Sequence, residues 1–133
     1  MENIIGVQHL KNNLGGQWVH TDVNFTVKKG EIIAIIGGSG CGKTTLLRSI
    51  LRLIIPTGGE ISVFGQDLNT ATDKEFLSVQ KRWSMMFQSG ALFTNISVFE
   101  NIAFPLREHT KLSEAMVRDI VLMQLEPALH LRF

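Results

Sequence analysis

The chain has 133 residues, 44% hydrophobic and 19% charged, with a net charge of +1. That balance excludes a disordered chain and suits one globular domain burying about two-thirds of its unfolded surface. Scattered Lys and Arg leave no basic stripe of the kind nucleic-acid binders carry, and a single cysteine cannot close an internal disulfide, which fits a reducing compartment. "MENIIGVQHL" has neither the basic lead nor the apolar run of a signal peptide. Arg48 and Arg52 interrupt the greasiest region well short of the ~20 apolar residues of a membrane span. The expectation is a chain that is cytosolic, or that sits on a membrane only through a partner.

In chain order, "WVHTDVNFTV" (18–27) alternates as a half-buried, antiparallel strand. Val19, Thr21, Val23, Phe25 and Val27 share one face, while His20, Asp22, Asn24 and Thr26 take the other. "KKGE" (28–31) is a turn, and "IIAII" (32–36) reads as a short apolar strand of the parallel, two-sided kind. From about Gly42 to Ile54 the apolar residues recur at helical spacing, until Pro56 and "TGGE" (57–60) end the helix and "ISVFG" (61–65) forms a strand. "TDKE" (72–75) and "SVFE" (97–100) are capping boxes that open two helices, the first running towards Gln80, the second stopped by Pro105. "RWSMMF" (82–87) reads as a buried strand between them. A last helix begins near Ser113, with Leu112 and Val117 placed as a hydrophobic staple, and runs to about Glu126.

"GGSGCGKT" (37–44) matches G-x-x-x-x-G-K-[ST], the phosphate-binding loop, in the strand-then-helix context the motif requires. Each residue type has a chemical reason. Gly37, Gly38, Gly40 and Gly42, with Ser39 and Cys41 between them, let the backbone turn its N–H groups inward as a nest for the β-phosphate. A helix N-terminus follows, whose free N–H groups and partial positive charge favour an anion. Lys43 brings a full charge to the β- and γ-phosphates, Thr44 a hydroxyl to Mg²⁺, and Thr45 a hydroxyl to the α-phosphate side. The bland alternative is a chance match, expected in random chains of this length on the order of once in a few hundred. His9, His20, His109 and His130 are too widely spaced for a ligand set, so the only metal expected is Mg²⁺ carried with ATP.

Around that loop, "VKKGEIIAIIGGSGCGKTTLLRSILRLIIPTGGEISVFGQDL" (27–68) strongly resembles the nucleotide-binding subunit of ABC transporters. "RWSMMFQSGALFTNISVFENIAFPLREHTKLSE" (82–114) resembles the Q-loop region of that family, in wording nearest to ATPases of MCE-linked lipid importers of the Mla and toluene-tolerance types. The resemblance implies an α/β fold, a P-loop NTPase of ABC type: an N-terminal antiparallel β subdomain plus part of a parallel core sheet. It covers about residues 4–126, so 1–126 is expected to be the N-terminal part of an ATPase domain and 127–133 a divergent tail. It makes Gln88 the Q-loop glutamine, whose neutral amide coordinates Mg²⁺ or holds the attacking water. Residues 88–104 would receive the coupling helix of a membrane permease; the alternative is that Phe87, Leu92, Phe93 and Phe99 are plain core. The family also stacks an aromatic on adenine near residues 12–18, where this chain has Asn12 or Leu14. Trp18 and His20 are the possible substitutes, a core or edge role being at least as well supported.

The family's "LSGG" signature, its Walker B aspartate with the catalytic glutamate, and its switch histidine do not occur in the 133 residues. The resemblance therefore implies roughly the first half of such a subunit, with a second ATPase subunit as partner in the full-length form and a place on the inner face of the cell membrane. Two functions stay open: the ATP-binding part of an ATPase that energises lipid or related transport, or a non-catalytic truncated fragment that binds nucleotide or permease without turnover. An autonomous phosphate-loop kinase is disfavoured, since no second phosphate-clamping motif follows.

Overall fold

The computed structural model of the chain describes residues 2–87 and 90–130. They divide into two units, Met1–Ser84 and Met85–Phe133.

In the first unit β1 (Asn3–Leu14) and β2 (Gln17–Lys28) form an antiparallel hairpin. Its turn is Gly15-Gly16, with φ of 60° and 88°, the doubly left-handed pair that a two-residue loop between twisted strands requires. β3 (Gly58–Val63) pairs antiparallel with β1, and β4 (Gln66–Asp67) with β3 through Phe64-Gly65, giving the order β2-β1-β3-β4. Two helices, α1 (Lys43–Ile50) and α2 (Asp73–Gln80), close the core of this unit. Leu46, Ile50 and Val79 join Val7, Leu10, Ile61, Val63 and Leu68 in one buried cluster. Thr72 and Glu75 make the full reciprocal capping box expected of α2.

The second unit holds α3 (Val98–His109) and α4 (Glu114–His130), which bury Ala103 against Val117 and Val121. Arg107 ties them at the surface, donating to Glu100 at 2.6 Å and to Glu114 at 2.9 Å.

Several sequence expectations need correction. Residues 32–36 lie in no strand, and Ile32 and Ile36 are 97% and 91% exposed. A strand forms only where at least one neighbour shares its backbone bonds, and the described sheet supplies none to these residues. Residues 83–87 likewise form no strand, with Met86 exposed. The helix expected to reach Ile54 ends at Ile50, where Arg52 adopts φ 55°. Arg52 N–H then bonds the Ser49 carbonyl and Leu53 N–H the Arg48 carbonyl, a Schellman stop made without glycine. Pro105 does not end α3 but sits inside it, and α4 runs past Glu126 through Pro127 to His130. A proline removes one intrahelical bond, which an otherwise packed helix can absorb near its end. The box at Ser97 is half formed: Ser97 Oγ accepts from Glu100 N–H, while the Glu100 carboxylate turns to Arg107.

The face assignment of β2 changes midway. Val23, Phe25 and Val27 point inward as expected, but Thr21 is exposed and His20 is buried. Leu10 faces Val23 while Asn12 faces His20, so two steps along β1 match three along β2. That extra residue on β2 is a bulge, and it reverses which side chains face the core.

Candidate nucleotide-binding site

Residues 37–42 form an irregular loop that runs directly into α1. Gly40 and Gly42, at φ 78° and 97°, take the left-handed backbone that swings the chain into the helix. Gly42 is the N-cap, and its carbonyl accepts the first helical bond from Leu46 N–H at 2.8 Å. No side chain caps this end and no acidic residue stands in the first turn. The partial positive charge of the helix start is therefore unneutralised by its own residues.

Lys43 folds back over the loop. Its Nζ donates to the carbonyls of Gly37 at 2.8 Å and Gly38 at 2.7 Å, and lies 3.6 Å from Cys41 Sγ. Beside it opens a cavity of about 190 Å³ lined by Val19, Gly40, Gly42, Lys43, Thr44 and Thr45. Five of the residues expected at the site thus meet around one space, and Gly37 and Gly38 hold its lysine. Ser39 and Cys41 are exposed in the same loop. Gln88, the remaining expected residue, lies outside the described residues. An ammonium, a free helix start and glycine backbone around one cavity make a chemical match for a polyphosphate. The Thr44 hydroxyl adds a neutral hard ligand of the kind Mg²⁺ accepts beside phosphate oxygens, and the Thr45 hydroxyl a further donor for phosphate.

Asn12 and His20 are buried, at 1% and 9% exposure, so neither offers a face for stacking. Trp18 is half exposed and lines a separate cavity of about 220 Å³ with Lys11 and Thr21. In the second unit Leu92 and Phe93 are exposed, Phe93 meets Phe104 edge-on at 5.4 Å, and Phe99 packs on the helix-pair core. Among the described residues no group of three or more His, Cys, Asp or Glu could hold a metal ion, and no helix is long and apolar enough to cross a membrane.

One feature of the site was not foreseen. Asn12 Nδ2 donates to Ser49 Oγ and approaches His20 Nδ1, both at 3.1 Å, and Ser49 Oγ reaches the Thr45 carbonyl at 3.0 Å. The available signal was a serine on the apolar face of α1, two residues after Leu47 and one before Ile50.

A family model described as ABC transporter matches residues 20–129. The chain belongs to the ABC transporter family. Within that family it is 50% identical over 125 residues to the intermembrane phospholipid transport system ATP-binding protein MlaF of Haemophilus influenzae, covering 94% of this chain and 47% of that protein. The Escherichia coli MlaF is 43% identical over 124 residues, 93% of this chain and 46% of the relative. The probable ribonucleotide transport ATP-binding protein mkl of Mycobacterium bovis is 38% identical, over 91% of this chain and 34% of its own length. This ABC chain thus spans about half the length of the MlaF proteins it matches. A solved ATP-binding cassette, a dimer in a post-hydrolysis state bound to ADP and Pi, superposes with a TM-score of 0.78 at 27% identity. The overlap takes in 95% of this chain and 57% of that one. The fold is accordingly that of an ATP-binding cassette over the part represented here.

Proposed function

We propose that the chain is the nucleotide-binding part of an ABC ATPase that energises phospholipid transport. The arrangement of Lys43 and the free start of α1 around one cavity carries this reading. Backbone N–H groups of the Gly37–Gly42 loop would hold the β-phosphate, Lys43 would span the β- and γ-phosphates, and Thr45 would meet the α-phosphate. Thr44 would hold Mg²⁺ together with Gln88, and the ion would supply charge neutralisation to the phosphate groups. The half-exposed Trp18 is the aromatic best placed for a base among the residues at 12–20. The phospholipid class is supported by the MlaF relatives.

Residues 88–104 are the surface for a membrane permease, supported by the exposed Leu92, Phe93, Val98 and Phe104. A permease at the inner face of the membrane would hold the chain there as a peripheral subunit, and a second ATPase subunit would complete each catalytic centre. Without the signature segment and catalytic glutamate, the 133 residues bind Mg-ATP but do not turn it over. Calorimetric titration tests the reading. Saturable binding of one Mg-ATP that is lost in Lys43→Ala supports it, and binding unchanged in Lys43→Ala contradicts it. Steady-state hydrolysis by the purified chain that vanishes in Lys43→Ala would overturn the claim of binding without turnover.

A further inference from the structure

One side chain of the second unit pairs with a backbone residue as a sheet neighbour would. Phe93 N–H donates to Asn101 Oδ1 at 2.8 Å, and Asn101 Nδ2 donates to the carbonyls of Phe93 and Ser97, both at 3.0 Å. The amide orientation is fixed by chemistry. A backbone N–H can only donate, so it faces the amide oxygen; two carbonyls can only accept, so they face the NH₂ group and use both its hydrogens. Ser97 is the N-cap of α3, and its carbonyl also accepts from Asn101 N–H at 3.0 Å. A single residue of α3 thus closes the loop 93–97 onto the start of the helix.

What this clamp holds is not core. Residues 91–98 are all exposed, Leu92 at 66% and Phe93 at 54%. Phe93 meets Phe104 edge-on at 5.4 Å, and Val98 and Phe104 are exposed on α3. Two residues before Phe93, Ala91 has φ 50°, next to Gly90 at φ 77°. A residue with a Cβ adopts that left-handed backbone only at a cost. Burial does not favour this conformation; the three bonds of Asn101 do. An apolar segment kept strained and displayed in this way is a surface ordered ahead of binding.

We propose that Asn101 is a positioning residue of the permease surface, gripping Phe93 through its N–H and C=O so that Leu92, Phe93, Val98 and Phe104 meet an apolar helix face of the permease without the loop first having to order. This rests on residues 88–104 being that surface. The occupant follows from the chemistry of the face. Residues 90–99 carry no charged side chain, so the partner's contact stripe is apolar. Residues 91–97 form no strand, so the partner cannot add by β-pairing and meets the face through side chains, as an amphipathic helix does.

The test compares the 133-residue chain with Asn101→Ala and with Leu92→Ser/Val98→Ser, which strips the face and leaves the clamp. The probe is the membrane permease of the Haemophilus influenzae phospholipid transport system in lipid nanodiscs, the system whose ATP-binding protein is 50% identical to this chain over 125 residues. Permease affinity should fall about tenfold in Asn101→Ala and at least as far in the double variant. Mg-ATP affinity of Asn101→Ala should stay within about twofold of wild type, the phosphate loop belonging to the other unit. Amide exchange at Phe93 should accelerate in Asn101→Ala alone, and the nuclear Overhauser contact between the Phe93 and Phe104 rings should fade with it. A purely structural asparagine would lower the melting temperature and leave the folded chain's affinity for permease unchanged. That result, or a Phe93 amide still slow in Asn101→Ala, would overturn the role of Asn101. Permease binding that is absent in wild type or unchanged in the double variant would overturn the surface reading itself, and Phe93 exchange would still decide whether the clamp forms. If Asn101→Ala does not fold, Asn101→Asp decides: it keeps the acceptor for Phe93 N–H and loses both donations, so a tenfold loss supports the role and wild-type affinity overturns it.

Discussion

Replacing Gly42 by alanine perturbs the site at its tightest point. Gly42 sits at φ 97° and ψ 5°, where an L side chain is strained by about 1–2 kcal/mol. The new methyl would lie 2.6 Å from His20 Nε2 and 2.6 Å from Val19 Cγ1. Carbon contacts relax near ~3.5–4 Å, so β2 or the loop must move, at about 1–3 kcal/mol. The sum is about 2–5 kcal/mol. Gly40 is the internal control, at φ 78° with nothing within 4 Å of its added methyl, so Gly40→Ala carries the backbone strain alone. Trp18 and Trp83 both belong to the unit that holds the loop, so urea unfolding followed by tryptophan fluorescence reads the difference. Gly42→Ala should be less stable than Gly40→Ala by about 1–3 kcal/mol, and Gly42→Ala/Val19→Ala should recover part of it. Equal midpoints for the two single variants would refute the idea that β2 packs directly against the N-cap.

Other consequences are open to measurement. Cys41 is exposed in the loop beside Lys43, so a maleimide should label it and saturating Mg-ATP should slow the labelling; the same rate with and without nucleotide would count against phosphates over the loop. His20, whose pKa burial lowers below the ordinary 6.5, takes up its proton more readily in the unfolded chain. Its contribution should therefore be absent above pH 6.5 and reduce stability as pH falls below that value, an effect that His20→Gln removes in urea titrations at pH 7.5 and 5.5. Ile32 and Ile36 expose nearly all their surface, so the 133-residue chain should self-associate, and Ile32→Lys/Ile36→Lys should shift it towards monomer in sedimentation velocity.

The features legible in the sequence are those set by local chemistry. Thr72 and Glu75 lie three residues apart and satisfy each other, so their box forms whatever the rest of the chain does. The glycine loop and the start of α1 likewise depend on residues adjacent in sequence, and Lys43 needs only to fold back on its own turn. What the sequence hides is pairing between distant residues. "IIAII" has strand composition, yet a strand is a relation between segments, and these five residues have no ladder partner among those described. His20 reads as a polar-face residue under strict alternation; one unpaired residue in the hairpin register turns it inward, and Asn12 and Ser49 receive it. Pro105 looks like a stop because a proline forbids one bond, but Ala103, Ile102 and Leu106 pack on both sides of it in the cluster with Val117 and Val121.

The claim that nucleotide phosphates sit on residues 37–45 is tested most directly by amide chemical-shift mapping of the chain during titration with Mg-ADP. The largest shifts should fall on the backbone amides of Gly38 to Thr45, with smaller ones at Val19 and His20 beside the loop. Shifts centred instead on the cavity of about 250 Å³ lined by Arg52, Gly59 and Asn69, with the loop amides unmoved, would contradict the account.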